Sequence, residues 1–423
     1  MQLKSKKSIS GALAIATGAL LGSGPVAHAE DHGWQIDTAF LYYDEKDKVS
    51  AGEPVISAKK RFDGDKILNL KWVADSLTGA SPSGATATDK PQTFTRPSGK
   101  GEYTVPSGEI PLDDTFKDSR VGISVGWEQP WGRLNRVNVG GYFSNEYDYT
   151  SFAINAGISR DFNKRNTTLS VAVAYAFDEW DPEGGIPLPF ASMAPAGADQ
   201  PRQGDTDDKN ITDILFGVTQ VINSRTLMQL NYSFSRSSGY LTDPFKIVSV
   251  IDPQSGETLD NIYENRPEDR TKHSLYWKTK YHLMRGDTVD VSYRYMTDDW
   301  EIDSHTVDFR YRWNFSERYY VEPHVRYYQQ SAAEFYRHSI LEGEAVNLSE
   351  VSADNRLGEF DAVTIGVKYG IKFAGGSELN VRLEHYEQTG DTSPSDAVGI
   401  QNNYDLFPDL EANIFQIGYS FKW

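Results

Sequence analysis

The chain has 423 residues, no cysteine, and a formal charge of −18 from 42 Lys and Arg against 60 Asp and Glu. The absence of cysteine excludes disulfide scaffolds, thiolate metal sites, thiol nucleophiles and covalently attached c-type haem. The acidic balance argues against a nucleic-acid partner, because such a partner requires a basic face.

The first residues have the pattern of a secretory signal peptide. Lysines near the start precede an uncharged stretch of apolar and small residues over 9–21, and a small-x-small cleavage pattern ends at Ala29. We therefore expect a signal peptide over 1–29 and a mature domain over 30–423. No later stretch has 18 consecutive uncharged apolar residues, so we expect no transmembrane helix.

The rest of the chain alternates apolar with polar or small residues at period two. In the last segment Phe415, Ile417 and Tyr419 alternate with Gln416 and Gly418. Runs of about ten residues with one apolar face are typical of strands in a transmembrane barrel. The pattern predicts sixteen strands, with fourteen as the alternative, because the second run ends in a cluster of basic residues. The predicted strands are 34–45, 53–62, 66–78, 118–128, 133–146, 150–161, 166–178, 210–222, 226–239, 270–283, 287–299, 303–315, 318–331, 358–373, 377–388 and 411–423.

The connections between these strands alternate between short and long. The links after even-numbered strands are a few residues long, and most are rich in turn-forming residues. The long links all follow odd-numbered strands: 79–117, 179–209, 240–269, 332–357 and 389–410. Outer-membrane barrels separate short periplasmic turns from long external loops in this way. We therefore predict an all-β, transmembrane, antiparallel up-and-down β-barrel in the outer membrane of a Gram-negative bacterium.

The chain ends on an aromatic strand that resembles the C-terminal signal by which outer-membrane barrels are recognised for insertion. The signal residues are Gly418, Tyr419, Phe421 and Trp423. This ending predicts that the barrel-assembly machinery is a partner and that the mature barrel contacts outer-membrane lipid.

Parity also assigns inward-facing side chains, and these differ between the two halves of the barrel. From the fourth to the eighth predicted strand they are mostly small, as at Gly122, Ser124 and Ala172. From the tenth to the fifteenth they are long and basic. We name nine of them the basic ladder: Lys278, Lys280, Arg294, Arg310, Arg312, Arg326, Lys368, Lys372 and Arg382. The inward-facing acids of the same half are Asp290, Asp308, Glu322 and Glu384.

The basic ladder has two interpretations. It is either a solvated wall braced by ion pairs between neighbouring strands, or a path that attracts anions. The second interpretation rests on the attraction of anions by surplus positive charge, which a low-dielectric wall strengthens. The wall of small residues leaves room for an external loop or a partner to pack inside the barrel.

Several stretches carry a resemblance to a known family. They are Ser237–Lys246, Tyr263–Pro267, His273, Tyr293–Tyr295 and Asp298–Trp300. They resemble a family of Gram-negative exported proteins known as domain of unknown function family 3570, over most of the mature chain. Relatives in that family tend to be encoded near a flavin transferase, a small lipoprotein and a thioredoxin-like protein. The resemblance thus implies membership of an envelope redox system, with a periplasmic lipoprotein or redox protein as partner, and it supplies no site residue.

The same block predicts an ordered external loop. Gly239 and Pro244 would shape its start, and Arg266, Pro267 and Arg270 would shape its return. An ordered loop at this place could cap or constrict the lumen.

The main functional prediction is a channel or passive transporter for small solutes, with anions as the favoured class. The alternative is a non-catalytic scaffold or conduit for a redox partner. A barrel-embedded enzyme is third, and we expect no enzymatic activity, because no lipid-facing Ser–His pair stands out. We predict no catalytic residue, no cofactor and no metal site. The acidic segment at 205–209 does not fit an EF-hand loop, since Lys209 occupies a ligand position.

Overall fold

The computed structural model describes residues 33–283 and 286–423. The predicted signal peptide at 1–29 lies outside these residues. Within them, sixteen strands form one closed barrel in which every strand pairs with its neighbours in the chain. The barrel closes where the backbones of Trp34 and Trp423 exchange two hydrogen bonds, with N···O distances of 2.7 and 2.8 Å.

Twenty-three strands are present in the described residues, and seven of them lie in the long loops. In chain order they are β1 (Trp34–Glu45), β2 (Val49–Phe62), β3 (Lys66–Pro82), β4 (Gln92–Thr95), β5 (Glu102–Val105), β6 (Leu112–Trp131), β7 (Asn135–Asn145), β8 (Tyr149–Phe162), β9 (Thr167–Trp180), β10 (Ile186–Pro187), β11 (Arg202–Gly204), β12 (Asp207–Asn223), β13 (Thr226–Gly239), β14 (Ile247–Ile251), β15 (Thr258–Tyr263), β16 (Asp269–His282), β17 (Thr288–Asp298), β18 (Asp303–Arg312), β19 (Tyr319–Gln330), β20 (Ile340–Leu341), β21 (Phe360–Lys372), β22 (Glu378–Gly390) and β23 (Leu410–Lys422). The loop strands are β4, β5, β10, β11, β14, β15 and β20.

The helical segments of the described residues are short 3₁₀ turns. They are Asn163–Arg165, Ala345–Asn347, Asn355–Leu357 and Gly399–Asn403. No helix in the described part of the chain is long and apolar enough to cross a membrane.

The prediction of sixteen barrel strands is confirmed, and the alternative of fourteen is wrong. The doubtful second run belongs to β2, which pairs along its length with β1 and β3. Its basic end can belong to a membrane strand because it lies at the end of the barrel, where long basic side chains extend along aromatic rings. The Lys60 Nζ atom, for example, is 5.2 Å from the centre of the Trp34 ring.

The two faces of the strands differ as a membrane barrel requires. On β9, Val171, Val173 and Tyr175 are exposed, whereas the alternating residues Ala172 and Ala174 are buried. A belt of exposed apolar side chains is unfavourable in water, but it matches the hydrocarbon core of a bilayer. The alternate face therefore lines the lumen.

The long loops fold together into one layer, which we call the cap. Its centre is the hairpin formed by β14 and β15, and β14 also pairs with β20 from loop 332–357. The hairpin also hydrogen-bonds to the other three long loops: Ile247 N to Ser83 O (3.0 Å), Phe190 N to Tyr263 O (3.1 Å) and Ile400 N to Ser255 O (2.8 Å).

The position of the hairpin follows from these contacts. The five long loops leave the barrel after β3, β9, β13, β19 and β22, which are spread around its circumference. A segment that touches the loops from all of these positions must lie across the mouth of the barrel. The predicted ordered loop over 240–269 is thus present as the central part of the cap.

Candidate functional site

The basic ladder lies on one face of the strands from β16 to β22. On β18, Val307 and Phe309 are exposed and face outward, so Asp308, Arg310 and Arg312 lie on the lumen side. The same parity places the other ladder residues and the four predicted acids on the lumen face. The structure therefore brings the predicted residues together on one wall.

Five of the nine ladder bases form ion pairs within 4 Å. The pairs are Lys278–Asp290 (2.9 Å), Arg310–Asp308 (3.3 Å), Arg312–Glu378 (3.5 Å), Lys368–Glu322 (3.3 Å) and Arg382–Glu384 (3.8 Å). Glu378 was not among the predicted acids, because it is the first residue of β22 and lies beside a turn. Solvated pairs of this kind contribute about 0–1 kcal/mol each, so they organise the wall more than they stabilise it.

The other four ladder bases, Lys280, Arg294, Arg326 and Lys372, have no described carboxylate within the 4 Å of an ion pair. The Arg294 guanidinium lies 5.4 Å from the ring centre of Tyr276, and the Lys372 Nζ lies 5.8 Å from that of Tyr320. The wall therefore keeps a net positive charge after its internal pairing.

Two glycines of β21 allow side chains to meet across that strand. The His324 imidazole reaches Glu384 on β22, with an Nδ1···Oε1 distance of 2.8 Å, and its Nε2 lies 2.9 Å from Asp308 on β18. The strand between His324 and Glu384 carries Gly366, where a Cβ would lie 2.4 Å from the Glu384 side chain. The register of strands therefore requires a residue without a side chain at this position.

The second such bridge crosses β21 at Gly370. There the Tyr320 hydroxyl donates a hydrogen bond to the Glu378 carboxylate, and the Tyr320 ring is fully buried. A Cβ at Gly370 would lie 2.1 Å from that ring. These two bridges link four neighbouring strands on the lumen face.

Substituting Gly370 by Ala is expected to destabilise the barrel by about 1–3 kcal/mol, because the rigid Tyr320 ring must move to admit the methyl group. Thermal unfolding in detergent measures the change. Gly375→Ala is the matched control, since a Cβ there would meet nothing within 4 Å. Equal melting temperatures of the two variants would contradict the steric argument.

The wall of small residues is present, but it is covered from inside by the chain itself. Tyr142 packs in one cluster with Ala153, Ala174, Ala176 and Ile211. The Tyr142 side chain of β7 thus occupies part of the space in which a loop or a partner was expected.

Charged residues on the same half of the barrel were missed by the sequence analysis. Arg120 on β6 donates a hydrogen bond to Asp75 on β3, and Lys209 pairs with Asp178 at 3.6 Å while both are almost fully buried. These residues lie near the outer ends of the strands. The period-two pattern there does not show which charged side chains form ion pairs. The half with small residues is thus smooth only in its middle part.

A cavity of about 570 Å³ lies between the cap and the barrel wall, and its wall residues come from strands that include β1, β3, β9 and β22. Its aromatic lining comes from Tyr43, Tyr147, Tyr149, Trp180, Phe245 and Tyr386. Its acidic lining residues are Glu45, Asp75, Asp113, Asp118, Glu146, Asp148, Glu183, Asp243 and Asp354. Its basic lining residues are Lys48, Arg96, Lys117, Arg120, Lys246 and Arg356.

Three carboxylates on the wall of the cavity stand close together. One oxygen each of Asp118, Glu146 and Asp148 lies within 4.8 Å of the others, which is the spacing of oxygen ligands around a cation. Burial and the neighbouring Asp118 carboxylate raise the pKa of Glu146 to about 8 and that of Asp148 to about 7. At neutral pH these shifts favour the protonated form of Glu146 and leave Asp148 partly protonated.

The cap is fixed by a buried network of three acids and three bases, which we call the cap network: Asp243, Lys246, Glu264, Arg266, Asp354 and Arg356. Arg266 lies at its centre, with Nε 2.7 Å from the Glu264 carboxylate and Nη2 2.8 Å from that of Asp354. The Arg356 guanidinium is 2.5 Å from Asp243 and also contacts Asp354. The Lys246 ammonium donates a hydrogen bond to the carbonyl of Pro82 and so attaches loop 79–117.

The charges of the cap network balance, and the pKa values of its acids follow their partners. Burial alone would raise the pKa of Asp243, but Arg356, Lys246 and Arg266 lower it to about 2. Arg356 and Arg266 likewise hold the pKa of Asp354 well below its usual range against the effect of burial. Burial dominates at Glu264 and raises its pKa, although Arg266 opposes the shift.

A family described as "Protein of unknown function (DUF3570)" matches residues 10–421. The chain belongs to this family. The resemblance stated from the sequence is thus confirmed. A search of curated proteins returned no match.

Several solved structures are similar to this chain, with TM-scores below 0.5. The CymD monoaromatic hydrocarbon channel is 8% identical with a TM-score of 0.44, and the match covers 100% of this chain and 94% of that chain. The ferric enterobactin receptor PfeA from Pseudomonas aeruginosa is 8% identical with a TM-score of 0.44, with 86% and 55% covered. CdiB from Acinetobacter baumannii is 9% identical with a TM-score of 0.45, with 92% and 60% covered. The chain spans little more than half the length of the receptors.

The block that resembles the family most closely forms the base of the cap. It supplies four of the six cap-network residues, and it also places Arg270 against Asp298 and over the Trp300 ring at 4.2 Å. The sequence indicated an ordered loop here. The two remaining network residues, Asp354 and Arg356, come from loop 332–357, where no pattern in the sequence pointed to them.

The predicted insertion signal lies on the closing strand of this family member. On β23 Gly418 pairs with Ala39 of β1 and Asn380 of β22, and the rings of Tyr419 and Phe421 stack at 5.5 Å. The terminal residue Trp423 is highly exposed at the end of the barrel. The motif thus lies at the seam where the last strand of the barrel pairs with the first.

Proposed function

We propose that this barrel is an outer-membrane channel for small hydrophilic solutes. The observation that carries the proposal is the cavity of about 570 Å³, which the lumen wall and the cap line together. A barrel of sixteen strands is wide enough to enclose water. A solute that enters from outside the cell must pass the cap, and the cavity is the open space beside the cap at the mouth of the barrel.

The channel is favoured over a scaffold for a redox partner. The reason to expect a packed partner was the small-residue wall, and Tyr142 already covers part of that wall. The resemblance to the family is then the only support for the scaffold. Purification in mild detergent tests it, because a stoichiometric lipoprotein or flavoprotein would favour the scaffold.

Anions are the solute class that we propose. The four ladder bases without a carboxylate partner give the lumen wall its positive surplus, which favours anions in a low-dielectric channel. The mouth has more acids than bases, but the raised pKa values of Glu146 and Asp148 reduce that excess at neutral pH. The charge of the ladder is therefore expected to decide the selectivity.

Conductance and reversal potential in planar bilayers test this proposal. We expect an anion preference for the wild type, and a fall in the anion-to-cation permeability ratio by a factor of about 2–10 when Lys280, Arg326 and Lys372 are changed to Gln. Arg337→Gln is the control, because Arg337 is an exposed loop residue that bonds only backbone carbonyls. A silent bilayer at all voltages would contradict the channel, and a cation preference would contradict the role of the ladder.

A further inference from the structure

Two neighbouring turns at the end of the barrel opposite the cap carry a group of exposed bases. One turn joins β6 to β7, and the other is the 3₁₀ segment between β8 and β9. Four exposed residues form what we call the basic patch: Arg133, Arg160, Lys164 and Arg165. The Arg165 guanidinium donates a hydrogen bond of 3.1 Å to the Arg133 carbonyl, so the two turns form one surface. Short turns of outer-membrane barrels face the periplasm.

The two turns that carry the basic patch contain no exposed acid. The single acid in the two turns and the adjoining strand ends over 129–136 and 158–169 is Asp161, which is buried and faces the lumen. Its carboxylate pairs with Arg136 at 3.6 Å and lies 4.0 Å from Arg165. The total charge of the chain is strongly negative, whereas the charge of this surface is positive.

The patch is continuous with the surface that faces lipid. Arg160 has the same parity as Ile158, which belongs to the exposed apolar belt, and the Arg160 guanidinium lies 5.3 Å from the ring centre of Phe162. Trp131 and Leu134 are exposed in the adjoining turn. Bases that extend from a lipid-facing surface place their charge at the level of the headgroups.

We propose that the basic patch binds the headgroup phosphate of an anionic phospholipid in the inner leaflet of the outer membrane. Arginine guanidinium groups bind phosphate oxygens in a bidentate manner, and each base near an anionic membrane surface adds to the attraction. The exposed Trp131, Leu134 and Phe162 side chains would contact the acyl chains. An acidic periplasmic protein would meet the charge requirement but not the lipid-facing position of Arg160. The inference does not depend on the channel function.

Lipid binding by the purified barrel tests the proposal. Native mass spectrometry would compare phosphatidylglycerol and cardiolipin with phosphatidylcholine, each added to delipidated protein. We expect the wild type to prefer the anionic lipids, and Arg133→Gln, Arg160→Gln and Lys164→Gln together to weaken their binding by about tenfold or more. The control is the same loss of charge elsewhere on this side: Lys66→Gln, Arg225→Gln and Arg318→Gln, which should change binding less than about twofold.

Three results would overturn the proposal. One is equal binding of anionic and zwitterionic lipids by the wild type. Another is an equal loss of affinity in the two triple variants, which would indicate general charge attraction. The third is a patch variant that binds lipid like the wild type but no longer co-purifies with an acidic protein that the wild type retains. That result would assign the surface to a protein partner. Unfolding temperatures of the variants in detergent verify that each barrel is folded.

Discussion

Removing the central hairpin of the cap is expected to raise the single-channel conductance about twofold or more. The hairpin of β14 and β15 contacts the loops from all sides of the mouth, so it covers the lumen of a barrel that is otherwise wide enough for water. The experiment replaces residues 247–262 by two glycines. The ends are already close, since the Glu264 amide donates to the Lys246 carbonyl at 3.3 Å.

A shorter change at the tip of the same hairpin supplies the control. The Asp252 amide donates to the Glu257 carbonyl at 2.9 Å, so Asn-Gly can replace residues 253–256 and leave both strands in place. The replacement removes the contact of Ser255 with Ile400, but it keeps the hydrogen bonds of the hairpin to Ser83 and Phe190. This variant should keep the wild-type conductance. The same pair of variants can be tested for uptake of a small hydrophilic antibiotic by cells. If both variants conduct like the wild type, the cap does not limit passage through the barrel.

The architecture was predictable because its determinants are local. Period-two alternation and short turns mark each barrel strand, so the predicted and observed bounds of β1 agree at both ends. The other strand ends differ by a few residues, and the largest difference is at β6, which begins six residues before its predicted start. The lumen face of the basic ladder followed from the same parity. Even the bridge to His324 uses an acid, Glu384, that parity placed inside, although the sequence did not show that Gly366 would let the two side chains meet.

The cap was not predictable in the same way. Its network joins Glu264 and Arg266 to Asp354, which is about 90 residues further along the chain, and neither side has a periodic pattern. The loop strands are only two to six residues long, so they carry too few alternations to be recognised. Nothing in the sequence around Asp243, Glu264 or Asp354 distinguishes them from solvated surface acids, yet all three are buried in ion pairs.

Replacing Arg266 by Met is expected to cost the cap about 3–5 kcal/mol of local stability, because it removes one partner of a buried ion pair and keeps a similar volume. Glu264 is fully buried, and without Arg266 its charge would keep only the Ser352 hydroxyl and the Asp243 amide. The barrel should stay folded, since the network lies outside its strands. The expected effect is thus a cap that opens more often on an intact barrel.

Amide hydrogen exchange with peptide-level mass spectrometry measures this opening. Protection over 240–269 and 332–357 should fall by roughly two to three orders of magnitude, while β21 to β23 keep theirs. Arg337→Met is the matched control, because this loop arginine bonds only backbone carbonyls. Adding Glu264→Gln to Arg266→Met should recover part of the protection, since it removes the uncompensated charge. If the single variant keeps full protection, the packing of the hairpin holds the cap and the cap network does not. If β21 to β23 lose protection together with the cap, the cap and the barrel unfold as one unit.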